Sequence, residues 1–108
     1  MGKLKAGEYI SVATLDELPV GERMVVEVGR EWVALFNVDG KVYAIADVCT
    51  HDDGPLAEGE LTGCVIECPR HGATFDISNG KVLSAPAFSD VPSYAVRIEG
   101  NDIQISPR

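Results

Sequence analysis

Two short boxes concentrate the residues able to bind a metal: Cys49-Thr50-His51 and Cys68-Pro69-Arg70-His71. Sixteen residues, 52–67, separate them, and together they take both histidines and two of the three cysteines of the chain. Two thiolates and two imidazoles suit a single tetrahedral zinc ion in principle. Zinc sites, however, space their paired ligands by two or more residues, and the C-x-H of the first box is tight for two ligands on one ion. A binuclear iron–sulfur cluster removes the difficulty, because each loop then gives its Cys to one iron and its His to the other. The cluster is the stronger reading of the spacing, with zinc open beside it.

The elements that must position these boxes read as strands. Segments 9–13, 23–28, 32–38, 41–46, 94–99 and 102–106 are short, rich in β-branched or aromatic residues and bounded by turn signals. Asp39-Gly40 joins two of them and Gly100-Asn101 joins two more, both strong hairpin signals. The one helical candidate is a single turn at Thr14-Leu15-Asp16-Glu17-Leu18, with Thr14 as cap, Glu17 as its capping-box partner and Pro19 ending it. Short strands at this spacing predict an all-β protein, an antiparallel sandwich or barrel. The segment from Asp47 to Asp76 is different in kind: it holds every cysteine and both histidines, with Gly54-Pro55, Gly59, Gly63, Pro69 and Gly72 among them, as functional loops on a rigid sheet do. The expected organisation is one domain over 1–108, with a base built from about 1–46 and 77–108 and an inserted cluster-binding subdomain over about 47–76.

Composition narrows the function classes. A chain of 108 residues, 45% hydrophobic, suits one domain with a modest core. A net charge of −8, from 17 acids against 9 bases, argues against nucleic acid or an anionic membrane as partner. Lys3, Lys5, Glu8, Asp16 and Glu17 interrupt the residues before Val20, leaving no apolar run for a signal peptide or a membrane span. Met1-Gly2 begins a myristoylation motif, but Ala6 stands where that motif needs Ser or Thr. A soluble, cytoplasmic, monomeric protein is expected. The odd number of cysteines argues for metal ligation over a disulfide framework. The strands fill the chain almost from end to end, which suggests a complete carrier.

At this point the boxes resemble a known family. CTHDDGPL is similar to the Rieske C-x-H-x4-L box, with Leu56 in the leucine position. CPRHGATFD resembles the C-P-x-H-G-x-x-F-D form of Rieske ferredoxins from bacterial ring-hydroxylating dioxygenase systems. Ser84-Ala85-Pro86-Ala87 occupies the place of that family's proline loop. The resemblance implies a Rieske fold and one Rieske-type 2Fe–2S cluster on Cys49, His51, Cys68 and His71. It implies single-electron transfer, with a flavin-dependent reductase as donor and a terminal ring-hydroxylating oxygenase as acceptor. It implies no catalysis by the chain alone, and a 2-His-1-carboxylate iron site is impossible once both histidines serve the cluster. The alternatives are the small subunit of an assimilatory nitrite reductase, a ferredoxin of another reductive pathway, or a colourless zinc-bound interaction module.

Departures from the respiratory Rieske pattern bear on the potential. Gly54 and Arg70 stand where those proteins carry a bridging pair of cysteines, so that disulfide cannot form. Ala73 and Phe75 stand where they carry Ser and Tyr, whose hydroxyls donate hydrogen bonds to sulfur. Such donors favour the more negative, reduced state, so their loss predicts a low-potential centre. Thr74 is a possible donor from another direction. Reduction beside an exposed imidazole holds its proton more tightly, so the potential is expected to fall with pH. The edges of His51 and His71 are the expected contacts for electron exchange. Asp52, Asp53, Glu58 and Glu60 are candidates to face a basic partner, or are simply solvated. Cys64 is expected to be a buried apolar filler sharing a strand face with Ile66 and Cys68. Trp32 is expected in the hairpin core. Gly72 and Pro69 are expected to shape the second loop, and Arg70 to be surface.

Overall fold

The computed structural model describes residues 7–49 and 54–107. Its strands are β1 (Ile10–Thr14), β2 (Arg23–Val28), β3 (Glu31–Val38), β4 (Lys41–Ala46), β5 (Glu60–Thr62), β6 (Val65–Glu67), β7 (Thr74–Asp76), β8 (Ser93–Glu99) and β9 (Asp102–Pro107). Six form one antiparallel sheet in the order β1-β9-β8-β4-β3-β2, whose two edge strands approach each other to make a nearly closed barrel. The other three, β5-β6-β7, form a small sheet inserted between β4 and β8. The all-β expectation holds, and each of the six longer strands lies within one residue of the segment read from sequence.

The hairpin signals act as their chemistry requires. Val38 pairs with Lys41 across a two-residue loop. Asp39 and Gly40 both take positive φ, 55° and 94°, the geometry that matches the twist of the flanking strands. The 3-10 turn Leu15–Glu17 follows β1, and the Glu17 carboxylate accepts the Thr14 N–H (2.9 Å) and the Thr14 hydroxyl (3.2 Å). Leu18 then drops fully into the core.

Five successive residues of β3, Val33 to Asn37, are buried. Successive side chains point to opposite faces, so both faces of this strand are covered. One cross-strand row shows what lies on the outer face. Arg23 pairs with Phe36 and Phe36 with Tyr43, and directly opposed residues share a face. The Arg23 guanidinium lies 5.8 Å from the Phe36 ring centroid and donates to the carbonyls of Ala57 (2.8 Å) and Gly59 (2.6 Å). The Tyr43 hydroxyl meets the Cys64 side chain. The row Arg23–Phe36–Tyr43 is therefore the seat on which the inserted segment rests. Buried Leu56, Ile66, Phe75 and Ile77 of that segment join Phe36, Ile45 and Ile103 of the barrel in one continuous core.

Burial and the Glu31 carboxylate, which accepts the Tyr94 hydroxyl at 3.0 Å, push the Tyr94 pKa well above its ordinary value. The folded chain thus keeps this proton to higher pH than the unfolded chain does. Stability is complete below about pH 10 and falls as pH rises beyond it. Tyr94→Phe should cost about 0.5–1.5 kcal/mol at neutral pH. It should also make the alkaline decline shallower, but not abolish it, because burial and Cys64 shift Tyr43 in the same direction. Urea unfolding across the alkaline range checks both.

Candidate metal centre

The cysteines of the two boxes open loops that are closed by the same kind of bond. The first leaves the end of β4 at Ala46, and the second joins β6 to β7. Each begins with its cysteine, whose N–H closes the loop onto a carbonyl five residues on: Cys49 to Gly54 at 2.6 Å and Cys68 to Ala73 at 2.7 Å. A second bond, Gly72 N–H to the Cys68 carbonyl (3.0 Å), tightens the latter. Cys49 and Cys68 are buried, at 0% and 1% exposure, while Pro69, Arg70 and His71 are exposed. A groove lined by Glu60, Glu67, Cys68, Pro69, Arg70, His71 and Gly72 opens the second loop to solvent. His51, with Thr50, Asp52 and Asp53, lies outside the described residues.

This arrangement fits a cluster held between two loops: sulfur donors on the protein side, an imidazole on the solvent side. Cys49, Cys64 and Cys68 form no disulfide with one another. Among the described residues, no three His, Cys, Asp or Glu side chains gather around one ion-sized site.

Several side chains stand elsewhere than the sequence suggested. Trp32 is 55% exposed, not in the hairpin core. It sits at the β2–β3 hairpin end opposite Glu27, before the doubly covered run of β3 begins. Cys64 is half-buried and belongs to the two-residue turn between Thr62 and Val65, not to a strand. Its partner is the Tyr43 hydroxyl, and burial followed by Cys64 and Asp76 raises the Tyr43 pKa. The Thr74 hydroxyl pairs with the Ser84 hydroxyl at 2.7 Å and the Thr74 N–H reaches the same oxygen at 3.1 Å. That ties the Ser84–Ala87 stretch to the second loop, where the Ala85–Pro86 peptide is cis.

Two residues near the loops escaped the sequence reading. The Asp47 carboxylate accepts the N–H groups of Leu56 (2.8 Å) and Ala57 (2.7 Å), and Arg23 takes the carbonyls just beyond. Nothing in their local sequence distinguishes a loop-gripping Asp or Arg from an ordinary surface charge.

The chain matches the Rieske [2Fe-2S] domain over residues 8–95 and belongs to that family. It is 37% identical over 97 residues to the ferredoxin component of the naphthalene 1,2-dioxygenase/salicylate 5-hydroxylase systems of Ralstonia sp., covering 90% of this chain and 93% of the relative. It is 40% identical over 98 residues to the biphenyl dioxygenase ferredoxin subunit of a Pseudomonas species, covering 90% of each. The ferredoxin of carbazole 1,9a-dioxygenase from Nocardioides aromaticivorans superposes with a TM-score of 0.85 at 31% identity, over 93% of this chain and 98% of that one. A related ferredoxin, seen in complex with the carbazole 1,9a-dioxygenase oxygenase, gives 0.83 at 30% identity, over 91% of this chain and 92% of that one. The protein is therefore a Rieske ferredoxin with one 2Fe–2S cluster, an electron-transfer component and not itself an enzyme. No helix among the described residues is long and apolar enough to cross a membrane.

Proposed function

We propose that this chain carries single electrons in the cytoplasm from a flavin-dependent reductase to a terminal ring-hydroxylating oxygenase. Cys49 and Cys68 hold one iron of its cluster, His51 and His71 the other. The base is formed by about 1–46 and 77–108, and 47–76 is the cluster-binding subdomain. When bound, the cluster supplies a one-electron couple. The residues supply the rest: buried sulfur ligands exclude water from one side, and the exposed His71 offers the contact through which a partner exchanges the electron. That pairing of a buried Cys68 with an exposed His71 in one short loop is the observation that carries the proposal. Relatives that are ferredoxin components of dioxygenase systems weigh it toward an oxygenase partner over the small subunit of a nitrite reductase.

Reconstitution tests the reading: oxygenase turnover with this protein as sole electron donor. Failure with every ring-hydroxylating oxygenase encoded beside it, or a voltammetric potential well above zero, counts against it. The expected potential lies in the lower part of the Rieske range of about −150 to +300 mV.

A narrower expectation concerns the rim of the groove. Glu60 and Glu67 are exposed, line it with His71, and face each other directly across β5 and β6. Like charges so placed are destabilising, by a few tenths to about 1 kcal/mol. If they meet a basic partner, Glu60→Gln or Glu67→Gln should raise ferredoxin stability while slowing electron delivery several-fold at low ionic strength, with the difference vanishing at high salt. Stopped-flow rates across a salt series decide, and a rate difference indifferent to salt would argue against the electrostatic role.

A further inference from the structure

We propose that Arg23 and Asp47 act as positioning residues for the cluster, gripping residues 56–59 from opposite sides and so fixing the separation of the two ligand loops. The inference deepens the ligand assignment above and rests on it. Asp47 is anchored to β3 by its own N–H, which donates to the Trp32 carbonyl at 2.9 Å. Its carboxylate then accepts two backbone N–H groups, from Leu56 and Ala57. Arg23, on β2, donates from one nitrogen to the carbonyls of Ala57 and Gly59. Ala57 is thus held at both its N–H and its C=O, by charges of opposite sign. Bonds with one charged partner are stronger than neutral ones.

The gripped segment touches both ligand loops. On one side it continues from Gly54, whose carbonyl closes the Cys49 loop. On the other, Gly59 lies directly against the Glu67 carbonyl, one residue before Cys68. A shift of residues 56–59 is therefore transmitted to Cys49 and to Cys68 at once. Neither Arg23 nor Asp47 is a proposed ligand, and their hold on the loops passes through backbone alone. Outer-shell partners of metal ligands commonly change metal affinity tenfold or more, and a grip on both loops should act on that scale.

The test uses the holo-ferredoxin. The rate of cluster loss in excess chelator is read from visible absorbance, sheet unfolding from far-ultraviolet circular dichroism, and the cluster environment from the electron paramagnetic resonance spectrum of the reduced protein. Arg23→Met and Asp47→Ala should each speed cluster loss by about tenfold, broaden the resonance, and leave the sheet unfolding rate nearly unchanged. Asp47→Asn keeps an accepting oxygen but not its charge, so its rate of cluster loss should fall between those of wild type and Asp47→Ala. Arg23→Lys keeps the charge and a nitrogen able to donate twice, but is shorter and lacks the planar guanidinium that lies over Phe36, so it should fall between wild type and Arg23→Met. Because both residues hold one segment, the double variant should lose its cluster more slowly than the product of the single effects predicts. Unchanged loss rates would overturn the inference. So would Asp47→Asn behaving like Asp47→Ala, loss that merely tracks unfolding, or effects that multiply as if independent. Should Arg23→Met or Asp47→Ala not fold, the rates of Arg23→Lys and Asp47→Asn against wild type decide it. A wild-type protein without the resonance of a cluster ligated by two histidines would instead overturn the ligand assignment.

Discussion

Gly59→Ala is expected to unseat the cluster-binding loops, at a cost of about 3 kcal/mol or more. A Cβ on Gly59 overlaps the Glu67 carbonyl oxygen and comes within 3.1 Å of the Leu56 carbonyl oxygen. Both neighbours are backbone, so no rotamer change relieves the clash. Glu67 is paired to β5 and β7 on its two sides, and Leu56 is fully buried. Relief therefore means moving β6, and with it Cys68. Against a total stability of about 5–15 kcal/mol for a domain, such a cost is large. Cluster loss should accompany it, visible as bleaching during purification. Gly63→Ala is the control. Gly63 has positive φ, 60°, but its Cβ would meet nothing within 4 Å. It should cost only the left-handed strain of about 1–2 kcal/mol and leave the cluster in place. If Gly59→Ala kept a full cluster and lost no more stability than Gly63→Ala, the close approach of Gly59 to β6 would not be what seats the loops.

The same contrast explains what could be read from the sequence. Asp39-Gly40 announced its hairpin because the turn demands positive φ, and few residue pairs supply it cheaply. The boxes announced the cofactor because ligand atoms must come from Cys and His at fixed spacing. The small sheet did not announce itself: β5, β6 and β7 have three residues each, too few to show alternation. Trp32 misled because apolar surface predicts burial only where a partner face exists, and among the described residues none covers it at the end of the β2–β3 hairpin. Cys64 misled because its strand face was counted from Cys68 without allowing for the turn at Gly63. Arg23 and Asp47 bond to backbone groups 34–36 and 9–10 residues away, respectively. Backbone is the same whatever the side chain, so such contacts leave no trace in the partner's sequence.

Restoring hydroxyls at positions 73 and 75 should raise the reduction potential. Ala73 and Phe75 are both fully buried, flanking the chain that follows His71. Thr74, between them, has its hydroxyl committed to Ser84. The Thr74–Ser84 pair thus leaves Ala73 and Phe75 as the positions at which an added donor could act. Reduction adds one negative charge, and a donor aimed at sulfur stabilises that state more than the oxidised one, so the sign is upward. A differential of about 1.4 kcal/mol corresponds to about 59 mV for one electron. Hydrogen bonds to charged groups contribute about 1.5–3 kcal/mol, of which only the difference between redox states counts. Ala73→Ser with Phe75→Tyr should therefore raise the potential by on the order of 100 mV, each single variant giving part of it. Stability separates success from mere burial. A tyrosine hydroxyl that finds no acceptor in this core costs about 1–3 kcal/mol, whereas one that reaches sulfur recovers most of that cost in the holo form. Protein-film voltammetry together with denaturant unfolding of each variant reads both quantities. A stability loss with an unmoved potential would mean that positions 73 and 75 do not point at the cluster, and that some other feature of the chain sets its potential.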